Sequence, residues 1–150
     1  MEPKKIYTAS PDETERAGAD LAQCLLNDPA LPRYIALYGD LGVGKTAFTR
    51  GVANVLCPSA AVRSPTFALV NEYRGKPPVF HFDMYRITGE DDLYSIGYDD
   101  YLVRDGVILV EWSENIPFAL PDEFLRVTIT KNDPTMPNSR EILIEEVTLC

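Results

Sequence analysis

Apolar residues recur along this chain with two distinct periods. Ala17, Leu21 and Leu25 stand four apart, the spacing that lines up one face of a helix. Ser10-Pro11-Asp12-Glu13 precedes them, with a capping hydroxyl, a proline for the first turn and acids at the positive end of the dipole. The pattern predicts an amphipathic helix over 11–27. Tyr34-Ile35-Ala36-Leu37-Tyr38 is a short, nearly continuous apolar run, suited to a strand buried on both faces. A second helix is predicted over 45–56, stopped by Cys57-Pro58, because the residue before a proline is driven out of the helical region.

Strands are predicted next at Phe67–Tyr73 and Val79–Phe82, joined by Arg74-Gly75-Lys76-Pro77-Pro78. A polar, acidic stretch from Thr88 to Tyr101 has short helical promise, and Val107-Ile108-Leu109-Val110 reads as another fully buried strand. Phe124–Thr130 and Glu141–Val147 alternate apolar and polar residues across a loop rich in Asn, Asp and Pro, as half-exposed strands do. Strand–helix alternation in the first part implies parallel pairing with right-handed crossovers. The tail reads as antiparallel additions. The expected class is α/β in three layers, a mostly parallel sheet with antiparallel additions at the C-terminal end, with 1–150 as a single domain.

Composition narrows what such a domain can bind. The 150 residues carry 14 Lys plus Arg against 23 Asp plus Glu, a net charge of -9. A chain with that balance does not wrap nucleic acid by neutralising phosphates alone. At this length a single core buries roughly two-thirds of the unfolded surface. The apolar runs are far too short to span a bilayer, and the N-terminus has no secretory-signal pattern. Cys24, Cys57 and Cys150 are widely separated, which suits ordinary thiols in a reducing cytoplasm better than a disulfide framework or a zinc site.

The chemistry begins at Gly39-Asp40-Leu41-Gly42-Val43-Gly44-Lys45-Thr46, a full match to Gly-x4-Gly-Lys-Ser/Thr. Chance places such a match in roughly one chain of this length in 200. Here it also sits between a predicted buried strand and a predicted helix, the context it requires. Glycines let successive backbone N–H groups converge on one concavity that binds phosphate oxygens, and the helix start adds its positive dipole end. Lys45 is the cation for the β- and γ-phosphates, and Thr46 the hydroxyl for Mg²⁺. The expected ligand is a nucleoside triphosphate, and the three-layer fold is expected to be P-loop NTPase-like.

A phosphate cradle needs an acid at the carboxyl end of a neighbouring strand. Asp83 and Glu111 both end apolar runs. Spacing does not decide which holds the metal and which activates water. Ser64-Pro65-Thr66-Phe67 lies where nucleotide-sensing loops occur in such folds, and a plain turn into the next strand reads equally well. His81, the sole histidine, is flanked by Phe80 and Phe82 and reads as a hydrogen-bonded core residue rather than a ligand. Tyr85 and Arg86 follow Asp83, placed to support phosphate or a partner, or in Arg86 an ordinary salt bridge. No Asn-Lys-x-Asp occurs to support guanine specificity, and no Leu-Ser-Gly-Gly segment marks a transporter ATPase.

Taken together, the loop 39–46, Ser64-Pro65-Thr66-Phe67, His81-Phe82-Asp83-Met84-Tyr85-Arg86 and Val110-Glu111-Trp112 resemble, in order and spacing, the TsaE family of small bacterial ATPases. These are components of the threonylcarbamoyladenosine tRNA-modification machinery. The resemblance covers roughly residues 8–145. It implies that Thr46 and Glu111 lie at the Mg²⁺ site with Asp83 close by, that Thr66 belongs to a loop responsive to the γ-phosphate, and that Trp112 sits near the nucleotide. It also implies that the segment Glu13-Thr14 approaches the adenine and that Arg140 touches the nucleotide. The partners it implies are TsaD and TsaB, with ATP hydrolysis needed for the pathway to cycle and tRNA met only through the complex. Lacking a readable internal arginine finger, such a chain is expected to turn over slowly alone. A nucleotide-switched assembly factor and a small-molecule kinase are the competing readings.

Overall fold

The computed structural model describes residues 1–40, 42–65 and 69–149. Its strands are β1 (Lys4–Thr8), β2 (Tyr34–Tyr38), β3 (Val70–Tyr73), β4 (Val79–Asp83), β5 (Val107–Glu111), β6 (Glu123–Asp133) and β7 (Met136–Thr148). Its helices are α1 (Pro11–Asn27), α2 (Lys45–Leu56), α3 (Glu90–Ser95) and α4 (Tyr98–Leu102). The strands make one sheet in the order β1-β7-β6-β2-β5-β4-β3. Its centre, β6-β2-β5-β4, is parallel, while β7 and β1 at one edge and β3 at the other are antiparallel. The antiparallel additions of the tail are therefore β7 with β1 beyond it, and β6 joins them to the parallel centre.

Both long helices have the predicted bounds. The Ser10 hydroxyl caps α1 by accepting from the Glu13 amide at 3.2 Å. The strand expected over Phe67–Tyr73 begins at Val70, and Thr66, Phe67 and Ala68 lie outside the described residues. β4 and β5 each run one residue further than expected, so that Asp83 and Glu111 are their last residues and pair in register. The loop foreseen around 131–140 is mostly strand: β6 and β7 continue to Asp133 and from Met136. The Asp133 carboxylate accepts from the Thr135 amide at 2.9 Å and closes the turn. β1 was not foreseen; it is an edge strand whose Lys4 and Lys5 face water.

Successive side chains of a strand point to opposite faces, and this alternation builds two cores. Ile35 and Leu37 of β2 join Leu109, Val127 and Ile129 against Leu25, Phe48 and Val52 of α1 and α2. Tyr34 and Ala36 join Phe80, Phe82 and Val110 against Leu93 and Tyr98 of α3 and α4. Helices thus cover both faces of the sheet, the expected three layers. Among the described residues no helix is long and apolar enough to cross a membrane.

The two long helices touch through glycine. A Cβ at Gly51 would collide with the Glu15 carbonyl, and one at Gly18 with the Phe48 carbonyl. Backbone cannot retreat as a flexible side chain can, so Gly51→Ala is expected to destabilise the fold by about 1–3 kcal/mol or more, read as a lower urea midpoint.

On the other face the Tyr34 and Tyr98 hydroxyls lie 2.7 Å apart, and Tyr98 donates to the Ala119 carbonyl at 2.9 Å. Burial pushes both phenols up, Tyr98 to about 12. The folded state thus holds them neutral above the ordinary tyrosine value near 10. Their contribution is complete below that pH and is lost as pH rises from about 10 towards 12. The urea midpoint should fall across that window, and less steeply in a Tyr34→Phe/Tyr98→Phe protein.

Candidate active site

The parallel strands β2, β4 and β5 all end at one edge of the sheet, where ligands of such sheets bind. From the end of β2 the chain turns through Gly39–Gly44 into α2. Gly42 and Gly44 hold φ of 81° and 113°, values that L side chains rarely adopt. No side chain caps α2, so its first amides and positive dipole end face the turn. Leu41 lies outside the described residues. Beside the turn is an open cleft of about 440 Å³, lined by Gly42, Gly44, Lys45, Thr46, Ser64, Asp83, Tyr85, Glu111 and Trp112.

Lys45 is buried, and its ammonium donates to the Gly39 carbonyl at 2.5 Å while sitting 3.5 Å from the centre of the Trp112 ring. Burial lowers its pKa, against the opposing pull of the Glu114, Glu111, Asp83 and Asp40 carboxylates. Trp112 adopts a left-handed backbone with φ of 60°, costly for a bulky residue. Its ring stands over Lys45 on one contact and 5.0 Å from the Tyr85 ring on another.

Thr46 donates to Oε1 of Glu111 at 3.3 Å, and His81 Nε2 lies 2.5 Å from Oε2. Asp83 accepts from the Ser64 hydroxyl at 3.2 Å and from the Tyr85 amide at 2.9 Å. The Thr46 hydroxyl and the two carboxylates are hard oxygen donors. Among the described residues no cluster of three or more His, Cys, Asp or Glu is built to hold a metal. That donor set suits Mg²⁺, which binds through one or two carboxylates with substrate phosphates and water completing its shell. One ammonium and the carboxylates of Glu114, Glu111, Asp83 and Asp40 share this end of the sheet.

The structure thus brings together Gly39, Gly42, Gly44, Lys45, Thr46, Asp83, Glu111 and Trp112. Asp40 is near enough to act on Lys45. Thr14 and Arg140 lie across the loop, where they and Val43 line a separate small cavity of about 80 Å³. The Thr14 hydroxyl is bonded to that of Thr8 at 2.9 Å. Arg140 donates to the Val43 carbonyl at 2.8 Å and the Gly42 carbonyl at 3.4 Å, so it grips the outer side of the loop's backbone. Thr66 lies outside the described residues. His81 is fully buried and hydrogen-bonded, as its aromatic neighbours predicted, and its partners are Glu111 and Tyr73.

Two members escaped the sequence reading. Glu114 accepts from the Gly39 amide at 3.3 Å, and the Tyr73 hydroxyl on the adjacent strand lies 2.9 Å from Nδ1 of His81. Neither carries a sequence signal, because each reaches the site only through strand pairing or the turn after β5.

Residues 8–142 match the family described as threonylcarbamoyl adenosine biosynthesis protein TsaE. The tRNA threonylcarbamoyladenosine biosynthesis protein TsaE of Bacillus subtilis is 39% identical over 132 residues, 87% of this chain and 80% of that one. Its Haemophilus influenzae counterpart is 39% identical over 130 residues, covering 82% and 80%. A crystal structure of Bacillus subtilis YdiB superposes with a TM-score of 0.76 at 34% identity, over 98% of this chain and 86% of that one. A phosphate-type loop, paired strand-end acids and a match along most of the sequence agree, and they place the chain in the TsaE family.

Proposed function

We propose that this protein is a Mg²⁺-dependent ATPase subunit of tRNA threonylcarbamoyladenosine formation, acting in the cytoplasm through partners of the TsaD and TsaB type and meeting tRNA only in their complex. The observation that carries the reading is the convergence of Lys45, Thr46, Glu111 and Asp83 on the glycine turn at the sheet's carboxyl edge. The loop amides and Lys45 bind the phosphate tail and hold it in place. Thr46 and Glu111, already hydrogen-bonded to each other, are the residues that would hold Mg²⁺, which supplies positive charge at the β- and γ-phosphate oxygens. Glu111, or Asp83 tied to Ser64, orients a water towards the γ-phosphorus. Trp112 and Tyr85 wall the cleft.

The test is ATP hydrolysis by the isolated chain, then with TsaD- and TsaB-type proteins added. Slow turnover alone and a gain of about tenfold or more with partners is the expected result, rising towards about 10³–10⁵ if a partner supplies a charge-stabilising group in trans. Turnover of tens per second alone, with no gain, contradicts the partner dependence. ATP binding without hydrolysis in the complex makes the protein a nucleotide switch instead, and phosphate appearing on an acceptor other than water makes it a kinase.

A further inference from the structure

Glu111 is held from behind as well as from the cleft. The residue at its back is His81, fully buried on β4, with Nε2 2.5 Å from Oε2 of Glu111 and Nδ1 2.9 Å from the Tyr73 hydroxyl on β3. The Tyr73 oxygen in turn lies 3.3 Å from the Arg63 amide nitrogen and 3.2 Å from the Arg63 carbonyl. That carbonyl also accepts from the Asn71 side-chain amide at 3.0 Å.

A proton on Nε2 faces the Glu111 carboxylate, and Nδ1 meets the Tyr73 hydroxyl. That hydroxyl has one proton and two acceptors in reach, Nδ1 and the Arg63 carbonyl, while its oxygen accepts from the Arg63 amide. Asn71 serves the Arg63 carbonyl, and Thr46 donates to the other oxygen of Glu111. One series of contacts runs from the Arg63 backbone through Tyr73 and His81 to Glu111. Among the described residues no buried side-chain nitrogen or oxygen is left without a partner.

We infer that His81 is a positioning residue for Glu111, its tautomer set by Tyr73, and that the pair ties the orientation of this acid to the backbone at Arg63. The inference rests on the ATPase reading only for the role of Glu111. The adjoining Ser64 bonds to Asp83, so one short segment, Arg63-Ser64, reaches both strand-end acids by separate routes. A carboxylate with both oxygens engaged has no free rotation, and outer partners of this kind tune the residue they hold.

The experiment uses the fact that the chain has one histidine. With ring-¹⁵N-histidine, the nucleotide-free protein gives a single imidazole spectrum, recorded at a pH well above the ordinary imidazole range. The Nε2–H tautomer is expected, with Nδ1 resonating as a hydrogen-bonded acceptor. Tyr73→Phe removes one oxygen atom and keeps the buried ring, so it preserves the fold. In that protein the Nδ1 resonance should move, and kcat should fall about tenfold while ADP affinity stays within about twofold. A ring protonated on Nδ1, or a Tyr73→Phe protein with unmoved ring signals and undiminished kcat, overturns the inference and leaves the ATPase reading standing. A wild-type chain that hydrolyses no ATP removes the ATPase reading, and the imidazole spectrum then decides the relay alone.

Discussion

Replacing Lys45 with alanine is expected to weaken ATP binding by about a hundredfold or more and to take hydrolysis below detection. The ammonium is the cation that lines the cleft beside the glycine turn, and it sits among the carboxylates of Glu114, Glu111, Asp83 and Asp40. Without it a phosphate tail loses its one side-chain cation in the cleft while the carboxylates remain. Charge-assisted hydrogen bonds contribute about 1.5–3 kcal/mol each, and a tenfold change in affinity is about 1.4 kcal/mol. Loss of the contacts with two phosphates therefore accounts for a hundredfold by itself. Folding should survive, because the substitution removes a buried cation that burial already disfavours. Calorimetric titration with MgATP, paired with a melting curve, checks both statements. Affinity within a few-fold of the native protein would move the phosphate site away from this loop.

Glu111→Gln should separate binding from chemistry. The loop amides and Lys45 are untouched, so nucleotide affinity is expected to stay within a few-fold. The carboxamide loses the negative charge facing Thr46, and it presents at most one oxygen where the carboxylate accepts from both Thr46 and His81. Groups that stabilise charge in the transition state are worth about 10²–10³ in kcat, and a loss of that size is predicted under single-turnover conditions. Undiminished hydrolysis in this variant would shift the essential acid to Asp83. The pair of substitutions therefore distinguishes a residue that holds the substrate from one that acts on it.

Legibility from sequence tracked how local the cause of each feature is. The two long helices were readable to the residue because apolar spacing, the Ser10-Pro11 start and the Cys57-Pro58 stop all act within a few residues. β2 and β5 were readable because burial on both faces leaves an uninterrupted apolar run. β1 was not, since an edge strand pairs through its backbone and leaves Lys4 and Lys5 in water. The same holds for the outer parts of β6 and β7, where polar residues and Pro137 lie in a ladder set by the tight Asp133 turn. In the site, Asp83 and Glu111 were legible because the ends of parallel strands are where ligands bind. Glu114 and Tyr73 were not, for their relevance is created by a short turn and by the pairing of β3 with β4. His81 was read as a core residue, and it is one. What one dimension could not convey is that its buried ring faces Glu111.

The central claim is that the backbone amides of the turn 39–44, with Lys45, form a receptor for a polyphosphate tail. Its most direct test is a crystal structure of the chain grown with Mg²⁺ and a non-hydrolysable ATP analogue. The account predicts the phosphates seated on the amides of the turn, with the Lys45 ammonium turned from the Gly39 carbonyl towards their oxygens. An analogue bound elsewhere, with the turn empty at saturating concentration, would contradict it.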